Sequence, residues 1–283
     1  MPLTRLTTTA PFDGVGLMRY FAGHAVQGIE SGDDDQYRRK VRGHDGTVSE
    51  LRIERDGTDG VLASFDGGDL PPGLIGSVRQ LFNLDADSLA IDAHLSADPV
   101  LAGPVAANPG IRLPGAIDAR EQLLRTMIGQ QISVAAARTT LARLSRELDG
   151  TGVFPTPRQF VERGRDVLRG PSNRVSAVHG AALELESGSL DLSSALDPAE
   201  LTRRLVALPG IGPWTAGYVA MRVLGASDVL LASDLVLLKG AAILGLPATP
   251  RGIDAYARRW APYRSYASLH LWRVARQNEG QQH

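Results

Sequence analysis

Polar and apolar residues alternate along Ser49-Glu50-Leu51-Arg52-Ile53-Glu54-Arg55, the period of a strand with one buried face. Asp45-Gly46 and Asp56-Gly57 flank this run, and Asp-Gly suits tight hairpin turns because glycine takes positive φ without strain. Residues 17–26 and 74–82 read as helices, the second following the breaker Pro71-Pro72-Gly73. A small antiparallel α/β domain is expected over residues 1–88.

Beyond Pro109-Gly110 the texture changes. Helical segments follow one another with short breaks at 119–148, 157–168, 175–187, 198–208, 213–224, 234–244, 253–260 and 263–277. The chain is therefore read as α+β, with the amino-terminal α/β domain followed by an all-helical domain over residues 89–283.

One segment carries most information. Asp197 suits an N-cap, Pro198 the first helical position, and Glu200 a capping box. That helix must stop at Pro209-Gly210, and Pro213 opens the next one, so a helix-hairpin-helix is expected at about 198–224. Gly210-Ile211-Gly212 between the helices leaves N–H groups at the second helix start unpaired, where a phosphate can accept them with help from the helix dipole. The glycines let a DNA backbone approach, Ile211 plugs the two helices together, and Thr215 lies in the first turn beyond. The DNA-contacting set is then Gly210, Ile211, Gly212 and Thr215. A generic helical hairpin is the plainer alternative, but Leu-Pro-Gly-Ile-Gly running into a helix is far more specific than a bare Gly-X-Gly.

Composition narrows the chemistry. With 43% apolar residues, 283 residues can bury a sizeable core. No cysteine is present, which removes disulfides, thiolate nucleophiles, cysteine zinc sites and iron–sulfur clusters. His24, His44, His94, His179, His270 and His283 show no metal-ligand spacing and read as surface or packing residues, so neither a metal nor a cofactor is expected. Residues 1–110 carry 9 Lys+Arg against 16 Asp+Glu, a balance of −7; residues 111–283 carry 21 against 15, a balance of +6. Such asymmetry points to a polyanion partner for the second part, with ordinary surface variation as the alternative. Neither a secretory signal nor a membrane span is visible, so a monomer in the bacterial cytosol or nucleoid, with no membrane partner, is expected.

Leu208-Pro209-Gly210-Ile211-Gly212-Pro213-Trp214-Thr215-Ala216, with Asp234 of Ala232-Ser233-Asp234 standing 22 residues beyond Gly212, resembles the signature of helix-hairpin-helix DNA glycosylases. Within that superfamily the chain is most similar to the 3-methyladenine DNA glycosylase II family. The similarity covers nearly the whole length. It includes Pro11-Phe12-Asp13, Arg112-Leu113-Pro114-Gly115, Ile128-Gly129-Gln130 with Ser133-Val134, Phe154-Pro155-Thr156-Pro157, and Arg264-Ser265-Tyr266-Ala267 with Leu269-His270 and Trp272.

Read locally, Asp234 is an N-cap for the helix that follows it. The resemblance implies that it is also the catalytic carboxylate, and the two roles are compatible. It further implies an aromatic base pocket from Trp214, Tyr218 and Trp272, joined by Tyr20 from the first domain, where core packing is the plainer reading of each. Electron-rich rings attract a cationic alkylated purine flipped out of the stack. Trp214 stands where strand-nicking members carry a lysine, which implies a monofunctional enzyme. An apolar wedge belongs just after Gly129-Gln130, but this chain has Gln131; either Gln131 or Ile132 would insert. The implied partner is double-stranded DNA with alkylated bases. The alternatives are a glycosylase for another damaged base and a non-catalytic helix-hairpin-helix DNA-binding protein.

Overall fold

The computed structural model describes residues 2–43, 45–193 and 196–280, so the expectations for His44 and His283 lie outside the described residues. Five strands form one antiparallel sheet: β1 (Leu3–Thr7), β2 (Glu30–Gly32), β3 (Gln36–Arg42), β4 (Val48–Arg55) and β5 (Gly60–Phe65), in the order β1-β5-β4-β3-β2. The alternating run is β4, and its apolar positions Leu51 and Ile53 are fully buried. Gly46 and Gly57 in the flanking turns take φ of 84° and 57°, the conformation the Asp-Gly pairs suggested. Helices α1 (Gly14–His24) and α2 (Pro72–Leu81) cover the apolar face, where Met18, Phe21, Val78 and Phe82 meet Tyr37, Leu51, Ile53 and Val61.

Two short helices were not anticipated. α3 (Ser88–Ser96) and α4 (Pro99–Ala107) are capped by Asp87 and Asp98, whose carboxylates accept the Ala90 and Val100 N–H groups. Their apolar residues Ile91, Leu95, Leu101 and Val105 share a core with Met221, Leu231, Leu237, Ile253, Trp260 and Leu271. A third core gathers Leu123, Met127, Leu144, Phe160, Val178, Leu205, Ile211 and Val219.

The single helix expected over 119–148 is two helices, α5 (Ala119–Ile128) and α6 (Val134–Leu148). Gly129 closes α5, Gln131 takes a left-handed φ of 60°, and Ser133 restarts the chain by accepting the Ala136 N–H. The remaining helices are α7 (Pro157–Val167), α8 (Ser172–Glu186), α9 (Pro198–Val206), α10 (Pro213–Leu224), α11 (Leu235–Ile243), α12 (Pro250–Ala257) and α13 (Arg264–Gly280).

A buried ionic cluster ties the sheet to α5. Arg125 reaches Glu30 at 2.9 Å and Glu121 at 2.8 Å, and Arg39 reaches Glu121 at 2.7 Å. Burial alone would raise the Glu30 pKa, but Arg125 and Arg39 beside it hold the carboxyl well below its usual range. Among the described residues no helix is long and apolar enough to cross a membrane, and no cluster of His, Asp and Glu side chains could hold a metal.

Candidate active site at the helical hairpin

The hairpin is α9 and α10 with residues 207–212 between them. Asp197 caps α9 by accepting the Ala199 and Glu200 N–H groups at 2.9 and 3.2 Å. Glu200 does not complete the expected capping box: its carboxylate turns along the helix to Arg204 at 2.6 Å and to Arg203, because charged partners on the next turn outcompete one backbone N–H. Gly210 has φ of 79°, and a Cβ there would sit 2.6 Å from the Ala177 Cβ, so both backbone and neighbour demand glycine. Ile211 is 5% exposed and joins the core beneath, as a plug should. Gly212 is exposed, has an ordinary φ of −90°, and a Cβ on it would meet nothing. No side chain caps α10, so its first N–H groups are left for an outside acceptor.

The side chain of Thr215 is turned inward: it is 4% exposed, and its hydroxyl accepts the Gln130 Nε2–H at 2.9 Å, which leaves the residue's place in the first turn of α10 as its route to an outside acceptor. Gln131 is exposed at the tip of the α5–α6 break, beside the exposed apolar side chains of Ile132 and Val134.

Asp234 caps α11, its Oδ1 accepting the Leu237 N–H at 2.8 Å. The same oxygen accepts the Trp272 indole N–H, and Oδ2 accepts that of Trp214, both at 2.9 Å. Helices α10, α11 and α13 thus converge on one carboxylate, which three donors fix in orientation. Trp214 and Tyr218 lie one turn apart on α10, their rings 5.2 Å apart and 8° from parallel. Trp272 meets Tyr218 edge-on at 6.5 Å. Tyr20 arrives from α1, its hydroxyl 2.7 Å from that of Tyr218. The four aromatics therefore form one connected group, each only partly exposed, in which Trp214 and Trp272 touch Asp234, Tyr218 packs against both, and Tyr20 joins through Tyr218.

Sequence reading missed Arg222. Its Nη1 donates to the Tyr20 hydroxyl at 2.7 Å and the Tyr218 hydroxyl at 2.8 Å, while Nη2 and Nε hold the Gly115 and Pro114 carbonyls. The guanidinium lies over both tyrosine rings, at 5.1 and 5.5 Å from their centroids. Burial would lower the Arg222 pKa, but the two tyrosine oxygens raise it above its ordinary value. Burial pushes the Tyr20 hydroxyl far up, so it stays neutral at any working pH. A signal did exist: residues 214, 218 and 222 share one face of a helix. The indole-to-Asp234 bonds left no such trace, since 20 and 38 residues separate the partners.

Tyr20, Trp214, Tyr218 and Arg222 line one cleft between the sheet domain and the helices, and Tyr20 and Trp272 line a second beside it. Asp234 and the exposed Lys239 of α11 line neither cleft; Asp234 reaches them only through the Trp214 and Trp272 indoles.

An antiparallel sheet unit followed by a set of helices, with a helical hairpin beside a helix-capping aspartate, defines the helix-hairpin-helix DNA glycosylase fold. The family model for the AlkA N-terminal domain matches residues 3–118. The Escherichia coli K12 DNA-3-methyladenine glycosylase 2 is 32% identical over 276 residues, covering 93% of this chain and 94% of that protein. The chain belongs to the DNA-3-methyladenine glycosylase 2 family. A Mycobacterium tuberculosis relative, the probable bifunctional transcriptional activator/DNA repair enzyme AlkA, is 38% identical over 279 residues; the alignment covers 95% of this chain but 56% of the relative, so the chain spans about half of that protein's length. The solved 3-methyladenine DNA glycosylase of Archaeoglobus fulgidus superposes with a TM-score of 0.81 over 98% of both chains at 18% identity, a likeness of fold.

Proposed function

We propose that this chain is a monofunctional DNA glycosylase that hydrolyses the N-glycosidic bond of alkylated purines, of the 3-methyladenine and 7-methylguanine type, in double-stranded DNA. The observation that carries the reading is the Asp234 carboxylate, each oxygen held by an indole N–H at the edge of an aromatic wall. A carboxylate that only caps a helix needs no such pair of tryptophans, whereas one aimed at a developing charge gains a fixed orientation from them.

As the C1′–N bond lengthens, its electron pair leaves with the base and positive charge grows on the sugar. Asp234 stabilises that charge and orients water, whose oxygen bonds C1′ and whose proton passes to the carboxylate and then to solvent. An N3- or N7-alkylated purine is already cationic and departs neutral, so it needs little help from a general acid. The rings of Trp214, Tyr218 and Trp272 attract such a cation when it is flipped from the stack.

The hairpin with Gly210, Gly212 and the α10 N–H groups holds backbone phosphate, contacts that position without reading sequence. Thr215 serves only through its place in that helix start. Gln131, with the exposed Ile132 beside it, supplies the wedge that fills the vacated stack. Trp214 cannot form a Schiff base, so the strand stays intact. The sheet unit over 1–88 contributes Tyr20, and the enzyme works as a cytosolic monomer.

Incubation with dimethyl-sulfate-treated duplex should release free 3-methyladenine and leave alkali-labile abasic sites without breaks. A borohydride-trapped protein–DNA adduct would show lysine attack instead, and duplex binding without base release would show a binder rather than an enzyme.

A further inference from the structure

The wedge loop and the hairpin meet at one side chain. Gln130 lies in the α5–α6 break, and its Nε2 donates to the Gly210 carbonyl at 3.2 Å and to the Thr215 hydroxyl at 2.9 Å. Its backbone carbonyl accepts the Arg174 Nη2–H of α8 at 2.6 Å, and the same guanidinium nitrogen lies 3.5 Å from Gln131 Oε1. Helix α8 also closes on the hairpin, since Ala177 is the residue that leaves no room for a side chain at Gly210. Gln131, the next residue, takes φ of 60°, a left-handed conformation that a residue with a Cβ adopts only when its surroundings impose it.

The local sequence pulls the other way. Its pattern over 119–148 favours one unbroken helix, which would fold the Gln131 side chain back among the helical turns. What opposes that is a short set of bonds. The Gln130 side chain is committed to the hairpin, and its carbonyl, which a continuous helix would use internally, is committed to Arg174.

We propose that Gln130 and Arg174 are positioning residues that lock the wedge to the hairpin, so that gripping phosphate and inserting Gln131 into the duplex occur as one rigid event. This rests on the DNA glycosylase reading above. Without the lock, the hairpin still holds DNA but the wedge is no longer presented at a fixed height above it. Base flipping should then suffer while binding does not.

Gln130→Ala and Arg174→Ala separate these quantities, with Arg174→Lys as the conservative variant. The probe is a duplex carrying 2-aminopurine beside an uncleavable abasic analogue, whose fluorescence rises when the neighbouring stack opens. Both alanine variants should bind undamaged duplex within about threefold of the parent, since phosphate contacts carry that affinity. Their fluorescence rise should fall to about a third or less, and single-turnover release of 3-methyladenine should fall about tenfold, the penalty of a misplaced reacting group. Arg174→Lys should recover part of both, because an ammonium still donates to the Gln130 carbonyl. A parent-like rise in both alanine variants would overturn the lock, as would a fall in duplex affinity by the same factor as the fluorescence. The fluorescence needs no chemistry, so a parent that opens the stack without releasing base would count against the enzyme and not against the lock.

Discussion

Asp234 carries three hydrogen bonds with different duties. The Leu237 N–H makes it a helix cap, and the indole N–H groups of Trp214 and Trp272 aim it. Oδ2 has the Trp214 indole as its donor, whereas Oδ1 is also held by the cap. Trp214→Phe and Trp272→Phe keep an aromatic ring and delete one N–H each. Trp214→Phe should slow single-turnover excision about 10- to 100-fold, because a small misplacement of a reacting group is that expensive. Trp272→Phe should cost less, about tenfold or under, because the Leu237 N–H still restrains its oxygen. Equal, parent-like rates in both would mean that the indoles only line the pocket. At this scale the candidate site was legible as a set of residues: motif and order singled out Asp234 and the four aromatics that the fold connects. Their mutual bonds were not, because residues 214, 234 and 272 meet only through the packing of three helices. The bond between the Thr215 hydroxyl and the Gln130 amide was hidden for the same reason, since a motif position says nothing of a partner 85 residues away.

Among the elements, the hairpin divides its two glycines between different demands. Gly210 is required by the fold, through positive φ and the Ala177 contact, whereas Gly212 is exposed and a Cβ on it would meet nothing. Gly210→Ala should therefore destabilise the protein by about 1–2 kcal/mol through φ alone, with the clash added, as chemical denaturation would show. Gly212→Leu should leave the thermal midpoint close to the parent and weaken binding of damaged and undamaged duplex alike, by about tenfold, with affinity in both proteins falling steeply as salt rises. Unchanged duplex affinity in Gly212→Leu would make the hairpin purely structural. The hairpin ends were readable because proline and glycine punctuate them. The break at 129–133 was not, because Gln131 adopts a glycine-like conformation under tertiary compulsion that local pattern cannot reveal. α3 and α4 were missed because their caps, Asp87 and Asp98, sit in a short apolar stretch without a long period.

The whole molecule is one set of cores joined by buried polar groups, and this gives its stability a pH dependence. Burial depresses His24 and His270 to about 4, with Arg222 and Arg276 near His24, and Arg273 near His270, adding to the effect. Their folded pKa lies below the ordinary 6.5, so between about pH 4 and 6.5 the unfolded chain binds more protons than the folded one. Stability should therefore fall as pH drops through that window, by up to about 1.4 kcal/mol per pH unit for each histidine. Glu30 adds a further loss below its ordinary 4.5, since its carboxylate must be protonated away from Arg125 and Arg39. Neither ring nitrogen of His270 has a partner, so His270→Phe should flatten the upper part of the profile without loss at pH 8. Thermal melts from pH 8 to pH 4 would check this, and an unchanged slope in the variant would contradict it. The most direct test of the molecule's activity is single-turnover release of 3-methyladenine by the parent and by Asp234→Asn, which keeps the cap and the Trp272 indole acceptor on Oδ1, replaces the Trp214 acceptor with an NH2 donor and removes the charge. The parent should release the base, and the variant should do so about 100- to 1,000-fold more slowly while binding an uncleavable abasic analogue within about tenfold of the parent. Release at the parent's rate would remove Asp234 from the chemistry and leave it only a helix cap.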